Sequence, residues 1–343
     1  RGAARGAMRP LPAQSGPLVS GEVDVSTIGL DLGGTSIRGL LLGADDARRH
    51  LVKVPVGPAR EPATVVARLA DLVRELAAAA GPDPVGGVGI GVAGWVRPGD
   101  GVVVGAPNLG WQDVPLRQLL EAATGLPVLP LNDLSAVALG EWRLGAARDA
   151  TDALVVFVGT GVGSGLILGG RLHEGAGGFA GEIGHLPVVF GDGRPCGCGR
   201  RGCLETVAGG VHLEQRVREA ARQGRFVGVR DAAGGAVEGI TCTQIEAAAV
   251  AGDPDAQGLW EEVAQVLGGV LGGVVNLLDP GVLVLGGGVM AAAPSLEQRV
   301  VARIRAQALP PIAAGLKIVP PALGDPAGVL GAALGARLLL PAP

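Results

Sequence analysis

IGLDLGGTSIRGLLL, residues 28–42, reads as strand, glycine turn, strand, with apolar residues on both sides of Gly33-Gly34-Thr35. ALVVFVGTGVGSGLILGG, residues 153–170, repeats that layout in the second half of the chain. One glycine-rich hairpin is weak evidence. Two of them, each opening an α/β half, imply an internal duplication with two turns facing one cleft. The expected fold class is therefore α/β, with strands and helices alternating in two domains and a ligand between them.

The turns also carry chemistry. Backbone amides are natural partners of phosphate oxygens, and residues without a side chain let the main chain come close enough to donate several at once. Gly33, Gly34 and Thr35 in one turn, and Gly159, Thr160, Gly161 and Gly163 in the other, are suited to grip a polyphosphate from two sides. Asp31 precedes the first turn, and a carboxylate beside phosphate requires a hydrated Mg2+ between them. The competing reading is that the glycines only serve tight hairpins. No G-x-x-x-x-G-K-[ST] motif occurs.

Between the hairpins, apolar spacing predicts helices over 64–80 and 116–123 and a buried strand within 85–96. LPVLPLNDLSAVALGEW, residues 126–142, is a strand that ends at Asn132-Asp133 and opens a helix. Asp133 is either a helix N-cap or, at a cleft, a base for a substrate hydroxyl. Further helices are expected over 211–222, 244–251, 255–278 and 327–339, and VLVLGGGVM, residues 282–290, is a buried strand ending in a third glycine cluster.

A second chemistry sits in FAGEIGHLPVVFGDGRPCGCGRRGCLET, residues 179–206. Cys196, Cys198 and Cys203 follow C-x-C-x4-C with His185 upstream, a closed tetrahedral set for a structural Zn2+. A disulfide is disfavoured, because three clustered thiols leave one unpaired and a bridge across one residue is strained. Glu182 and Glu205 flank the set as carboxylates free to meet solvent or a ligand with many hydroxyls. Cys242 stands apart as a buried small hydrophobe. His50, His173 and His212 have no partner pattern, and Trp95 and Trp111 suit core packing better than stacking on a ligand.

At 343 residues, 48% apolar and 17% charged, the chain is long enough for two domains. Its 61 glycines are too many for turns alone. A net charge of −4 and 2% aromatics argue against nucleic acid, and thiols in a metal pattern argue for a reducing, cytoplasmic compartment. The long uncharged run 153–170 has a polar GTGVGSG centre and reads as a turn between strands, so no membrane partner is expected. Residues 1–26 are Arg-rich without an apolar core and read as a disordered leader.

In chain order, DLGGT, ND at a strand end, GTGVGSGLILGGRLHEGAGGFAGEIGH, CGCGRRGCLE and NLLDPGVLVLGGGV resemble the ROK family of sugar kinases and sugar-responsive repressors over about residues 28–339. GVGIGVAGWV and APNLGWQDVPL resemble its bacterial glucokinase branch. The resemblance implies a two-domain, actin-like (ribonuclease-H-like) ATPase fold with an interdomain cleft, ATP-dependent hexose phosphorylation, and a structural zinc beside the sugar. It makes Asp133 the catalytic base and gives Asn108, Asn132, Asp133, Glu182, His185 and Glu205 to the sugar. His185, Cys196, Cys198 and Cys203 match zinc ligands. Asp31, Gly33, Gly34 and Thr35 match the first phosphate turn, Gly159, Thr160 and Gly161 the second, and Gly286, Gly287 and Gly288 the adenosine pocket.

Ser36 stands where many members carry Lys, Ser135 where Asn is frequent, and Gly209-Gly210 where Ser-Gly is usual. The domains expected are 27–136 with 325–343 as the smaller, and 137–324 as the larger, holding the zinc loop 185–203. Family repressors resemble kinases placed behind a winged helix-turn-helix, for which fewer than thirty residues before the first strand are too short. A hexokinase acting on glucose is expected, with an N-acetylhexosamine kinase as the nearest rival and a homodimer or homotetramer as the assembly.

Overall fold

The computed structural model describes residues 25–340, so the expected leader lies outside the described residues apart from its last two. The described chain forms two compact units, 25–151 with 165–180 and 322–340, and 152–164 with 181–321.

The first unit opens with an antiparallel meander, β1 (Ser26–Leu32), β2 (Ser36–Leu42) and β3 (Arg48–Pro55). Helix α1 (Pro62–Ala79) starts with proline, whose missing N–H costs nothing at a helix start, and buries Leu69, Leu72, Val73 and Leu76. It leads to β4 (Val85–Val92), parallel to β1. Short strands β5 (Trp95–Val96), β6 (Val103–Ala106) and β7 (Trp111–Val114) make a separate antiparallel sheet. Helix α2 (Leu116–Thr124) ends on Gly125 at φ +72° and delivers β8 (Val128–Asn132), parallel to β4, from which α3 (Asp133–Leu144) departs.

The second hairpin is β9 (Ala153–Val158) and β10 (Val162–Leu168), followed by β11 (Arg171–Leu172). Of these, β9 belongs to the second unit, which from residue 181 onward comprises α4 (Glu205–Ala208), α5 (Gly210–Arg222), α6 (Val227–Ala232), α7 (Cys242–Val250), α8 (Pro254–Leu278), β12 (Val282–Gly286), α9 (Gly288–Ala292), α10 (Pro294–Gln307), α11 (Pro310–Gly315) and β13 (Lys317–Val319). The strand orders are β3-β2-β1-β4-β8 and β11-β10-β9-β12-β13, the same arrangement twice. The repeat inferred from two hairpins is thus present in the topology. The strand expected over 282–290 stops at Gly286. Gly287 takes φ +101°, where an added Cβ would lie 2.4 Å from Val158 O, and the chain turns at once into α9.

Helix α12 (Ala327–Ala336) returns to the first unit and explains part of the glycine excess. An added Cβ on Gly29 of β1 would lie 1.8 Å from Val329 O, and one on Gly89 of β4 would lie 1.8 Å from Ala332 O. Backbone meets backbone here, and any side chain would force the helix off the sheet. Among the described residues, Pro254–Leu278 is the one helix long and apolar enough to cross a membrane. Its Leu259, Trp260, Val263, Leu267, Leu271 and Val275 are buried, and Gly268 and Gly272 lie against Arg303 and Gln307 of α10.

Candidate functional site: two glycine turns and a thiol cluster

In the first unit, β1, β4 and β8 run parallel, so Asp31 and Asn132-Asp133 stand at one carboxyl edge of the sheet, where open α/β sheets bind ligands. Gly33 N–H donates to Ser36 O at 3.1 Å and closes the first turn. A Cβ on Gly34 would lie 3.0 Å from Asn108 Cβ, which sets exposed Asn108 beside the turn. Its carbonyl accepts from Arg60 Nη1 at 2.9 Å, and buried Trp111 donates its ring N–H to Arg60 O at 2.7 Å, so Trp111 is a core residue as expected.

Asn132 and Asp133 divide their work. Asn132 Oδ1 accepts the N–H groups of Leu134 at 2.9 Å and Ser135 at 3.1 Å, and its Nδ2 donates to Gly94 O at 3.1 Å. The N-cap of α3 is therefore Asn132. Asp133 is the first helical residue, half-buried, with Oδ1 2.9 Å from Leu134 N. Most of the amide that the resemblance offered to sugar is used by the fold.

Asp31 is flanked by a residue that motif reading passed over. Arg38 lies directly opposite it in the β1–β2 register, Nη1 3.6 Å from Asp31 Oδ2, while Arg38 Nη2 meets Asp325 Oδ1 at 2.8 Å. Burial pushes the Asp31 carboxyl above its ordinary value, Arg38 pulls it back, and Asp325 adds to the rise. The i-to-j pairing of an antiparallel hairpin carried the signal for Arg38.

In the second unit, Gly210 N–H and Val211 N–H donate to Gly159 O at 2.8 Å and Thr160 O at 3.3 Å. A trans peptide places its N–H opposite its carbonyl, so the N–H groups of Thr160 and Gly161 point away from α5. Glu205, first residue of α4, reaches into the same turn: Oε2 accepts Val162 N–H at 3.1 Å, and a Cβ on Gly161 would lie 2.1 Å from that oxygen. Gly159 and Thr160 also wall a cavity of about 230 Å³ with Gly210, Glu214, Cys242 and Gly288. Of the third glycine cluster only Gly288 lines it; Gly286 and Gly287 shape the strand end, with Gly286 against Pro321. Cys242 is buried as expected, and burial pushes its thiol up to about 12.

The four expected ligands come together. One donor atom each from His185, Cys196, Cys198 and Cys203 lies within 4.8 Å of the others. Cys198 Sγ is 3.7 Å from Cys203 Sγ, and Cys196 Sγ is 3.5 Å from His185 Nδ1. Tetrahedral zinc, with bonds of about 2.3 Å to sulfur and 2.0–2.1 Å to nitrogen, has ligand edges of roughly 3.5–3.8 Å, so the donor set fits. Gly199 and Gly202 bend the loop at φ +84° and +70°; Gly197 does not need positive φ. His185 Nε2 lies 3.7 Å from Glu182 Oε2, and Cys196 Sγ points at Glu205 Oε1 at 3.8 Å. Glu182, His185 and Glu205 are thus neighbours of one cluster, all three half-buried.

Residues 27–337 match the ROK family model. A glucokinase of Halalkalibacterium halodurans is 33% identical over 309 residues, covering 89% of this chain and 92% of that protein. The crystal structure of a ROK family glucokinase from Streptomyces griseus in complex with glucose and AMPPNP superposes with a TM-score of 0.75 at 34% identity, covering 91% of this chain and 99% of that one. A ROK family transcriptional regulator, a homologue of the E. coli MLC protein, gives 0.80 at 29% identity, covering 93% and 79%. The duplicated mixed sheets are those of the actin-like ATPase fold used by sugar kinases. Within that class, the chain belongs to the ROK family.

Proposed function

We propose that this ROK sugar kinase transfers the γ-phosphoryl group of ATP to the 6-hydroxyl of a hexose, glucose foremost, with Asp133 as general base. The observation that carries the assignment is the division of labour at the end of β8: because Asn132 caps α3, the fold does not need Asp133 for that job. An ordinary aspartate is ionised at neutral pH and accepts the hydroxyl proton late, as attack on phosphorus makes it acidic. Phosphoryl transfer otherwise needs positioning and charge neutralisation. Thr160 and Gly161 N–H groups supply the second phosphate turn and the N–H groups of Gly34 and Thr35 the first, Gly33 N–H being used to close that turn. Asp31 would hold Mg2+, which when bound offsets phosphate charge.

Asn108, Glu182, His185 and Glu205 receive the sugar hydroxyls, with Asn132 holding the base in register. A deoxy sugar withdraws one hydroxyl donor from such a carboxylate and binds poorly. His185, Cys196, Cys198 and Cys203 would hold a structural zinc that keeps Glu182 and Glu205 at a set spacing. Gly288 belongs to the adenosine wall, with Gly286 and Gly287 behind it. A cytoplasmic location and a homodimer or homotetramer complete the reading; light scattering tests the assembly.

The test is ADP release from ATP with glucose, mannose, fructose, N-acetylglucosamine and N-acetylmannosamine, repeated for Asp133→Asn. Turnover on glucose that vanishes in the variant supports the reading, and a preference for an N-acetyl sugar replaces only the substrate. The resemblance to a transcriptional regulator favours a second reading, a sugar sensor. Sugar binding with no ADP release from any sugar would select it.

A further inference from the structure

We infer that Glu205 is a positioning strut that makes the nucleotide turn dependent on the thiol cluster, so that metal loading sets nucleotide affinity and not only sugar binding. The inference rests on the zinc and nucleotide assignments above and extends them to a coupling between the two.

The geometry is one carboxylate set between the turn and the thiol cluster. Glu205 Oε2 accepts Val162 N–H at 3.1 Å, immediately after the turn, and fills the space a Gly161 side chain would take. Its Oε1 faces Cys196 Sγ at 3.8 Å. Glu205 follows the ligand Cys203 by two residues, and the short α4 it opens ends at Gly209 and Gly210, where the N–H groups of Gly210 and Val211 grip the carbonyls of Gly159 and Thr160. Gly209 and Gly210 permit this approach: added Cβ atoms would lie 3.1 Å from Thr160 O and 2.9 Å from Gly159 O. The turn is therefore held at Gly159 and Thr160, and at the first residue of β10, by residues 205–211, and that segment is anchored at its start by the cluster. Gly159, Thr160, Gly210 and Val211 also wall the 230 Å³ cavity, so shifting Glu205 reshapes the chamber. Removing the metal frees the loop carrying Cys196 and Cys203, and Glu205 loses its fixed origin.

The experiment measures nucleotide binding with sugar absent. AMP-PNP is titrated calorimetrically into the metal-loaded full chain, the chelated chain, and Glu205→Ala and Glu205→Asp with and without metal; zinc content is determined for each, and glucose binding is measured separately. The parent should lose about tenfold in nucleotide affinity on chelation, the scale of one charge-assisted hydrogen bond. Glu205→Ala should show a similar loss while retaining zinc, with a smaller further loss on chelation than the parent shows, because Gly210 and Val211 still tie the turn to this segment. Glu205→Asp, which keeps the charge but is one methylene too short to span, should behave likewise and serves if Glu205→Ala does not fold. Parental nucleotide affinity in the variants with glucose binding lost would make Glu205 a sugar residue only and overturn the inference. An equal effect of chelation in parent and variant would overturn it too. A parent that binds no AMP-PNP would instead remove the functional reading beneath it.

Discussion

Arg38 faces Asp31 across the β1–β2 pair, Nη1 to Oδ2 3.6 Å, while its other terminal nitrogen is held by Asp325 at 2.8 Å. Shared between two carboxylates, Arg38 only partly offsets the burial of Asp31, whose carboxyl stays above its ordinary value. An acid with a raised folded pKa binds its proton more tightly in the native state. Stability therefore falls as pH rises through the window from the unfolded to the folded value, and the ionised form is a cost at neutral pH.

Asp31→Asn should consequently raise Tm at pH 7, about 2 °C for each kcal/mol regained. The gain should shrink as pH drops below that window, where the parent is protonated as well. Turnover should fall about 100-fold or more, the scale of losing a preorganised charge at a phosphoryl-transfer site. Calorimetric scans of parent and variant across acidic and neutral pH check the first part, and steady-state kinetics the second.

Asn132 and Asp133 should separate cleanly in mutation. Asn132→Ala removes the cap of α3 and should cost about 1 kcal/mol in urea unfolding, together with a loss of turnover because the base is no longer held in register. Asp133→Asn, which keeps an oxygen for Leu134 N–H, should move the unfolding midpoint less than Asn132→Ala does and lower kcat by about 10²–10⁴-fold with little effect on KM.

Thiol chemistry should report the cluster. Burial pushes the Cys196 thiol up to about 12 and also raises Cys203. Burial acts in the same sense on Cys198, but the Arg200 backbone N–H and the neighbouring thiols outweigh it and bring Cys198 below its ordinary value. Thiolate is the reactive form. In chelated protein at pH 8, iodoacetamide should therefore label Cys198 first, with Cys196 and Cys242 lagging by about tenfold or more. Zinc at one per chain should suppress labelling of Cys198. Mass spectrometry of timed digests gives the order.

Glu141 is fully buried and accepts the N–H groups of Ala146 at 2.8 Å, Ala322 at 3.0 Å and Leu323 at 3.0 Å. It ties the end of α3 to the segment that leads into α12. Glu141→Ala strands the N–H of buried Leu323 and takes the acceptor from half-buried Ala146 and exposed Ala322, and should cost about 2 kcal/mol of stability in the first unit. Denaturant titration followed by circular dichroism checks it.

Much of this was legible beforehand because it is local. Glycine turns between apolar runs, C-x-C-x4-C with an upstream histidine, and strand-to-helix punctuation at Asn132 each depend on residues close in sequence. Periodicity located α1, α5, α7 and α8 to within about two residues for the same reason. The eight-residue β3 was not anticipated because it is rich in charge and none of its residues is buried, and the small β5–β7 sheet because its strands are only two to four residues long. The excess of glycine was visible but not its use, because contacts such as Gly29 with Val329 join residues far apart in the chain.

By itself the sequence determined which residue types lie where, and so the fold class, the thiol cluster and the turns that suit phosphate. Only tertiary structure decided how those residues share the work: Asn132 rather than Asp133 caps the helix, Arg38 is divided between Asp31 and Asp325, and Glu205 touches both the cluster and the second turn. A side chain's few donors and acceptors are claimed by whichever neighbour the packed fold brings within about 3 Å, and that competition among distant segments leaves no mark on a motif.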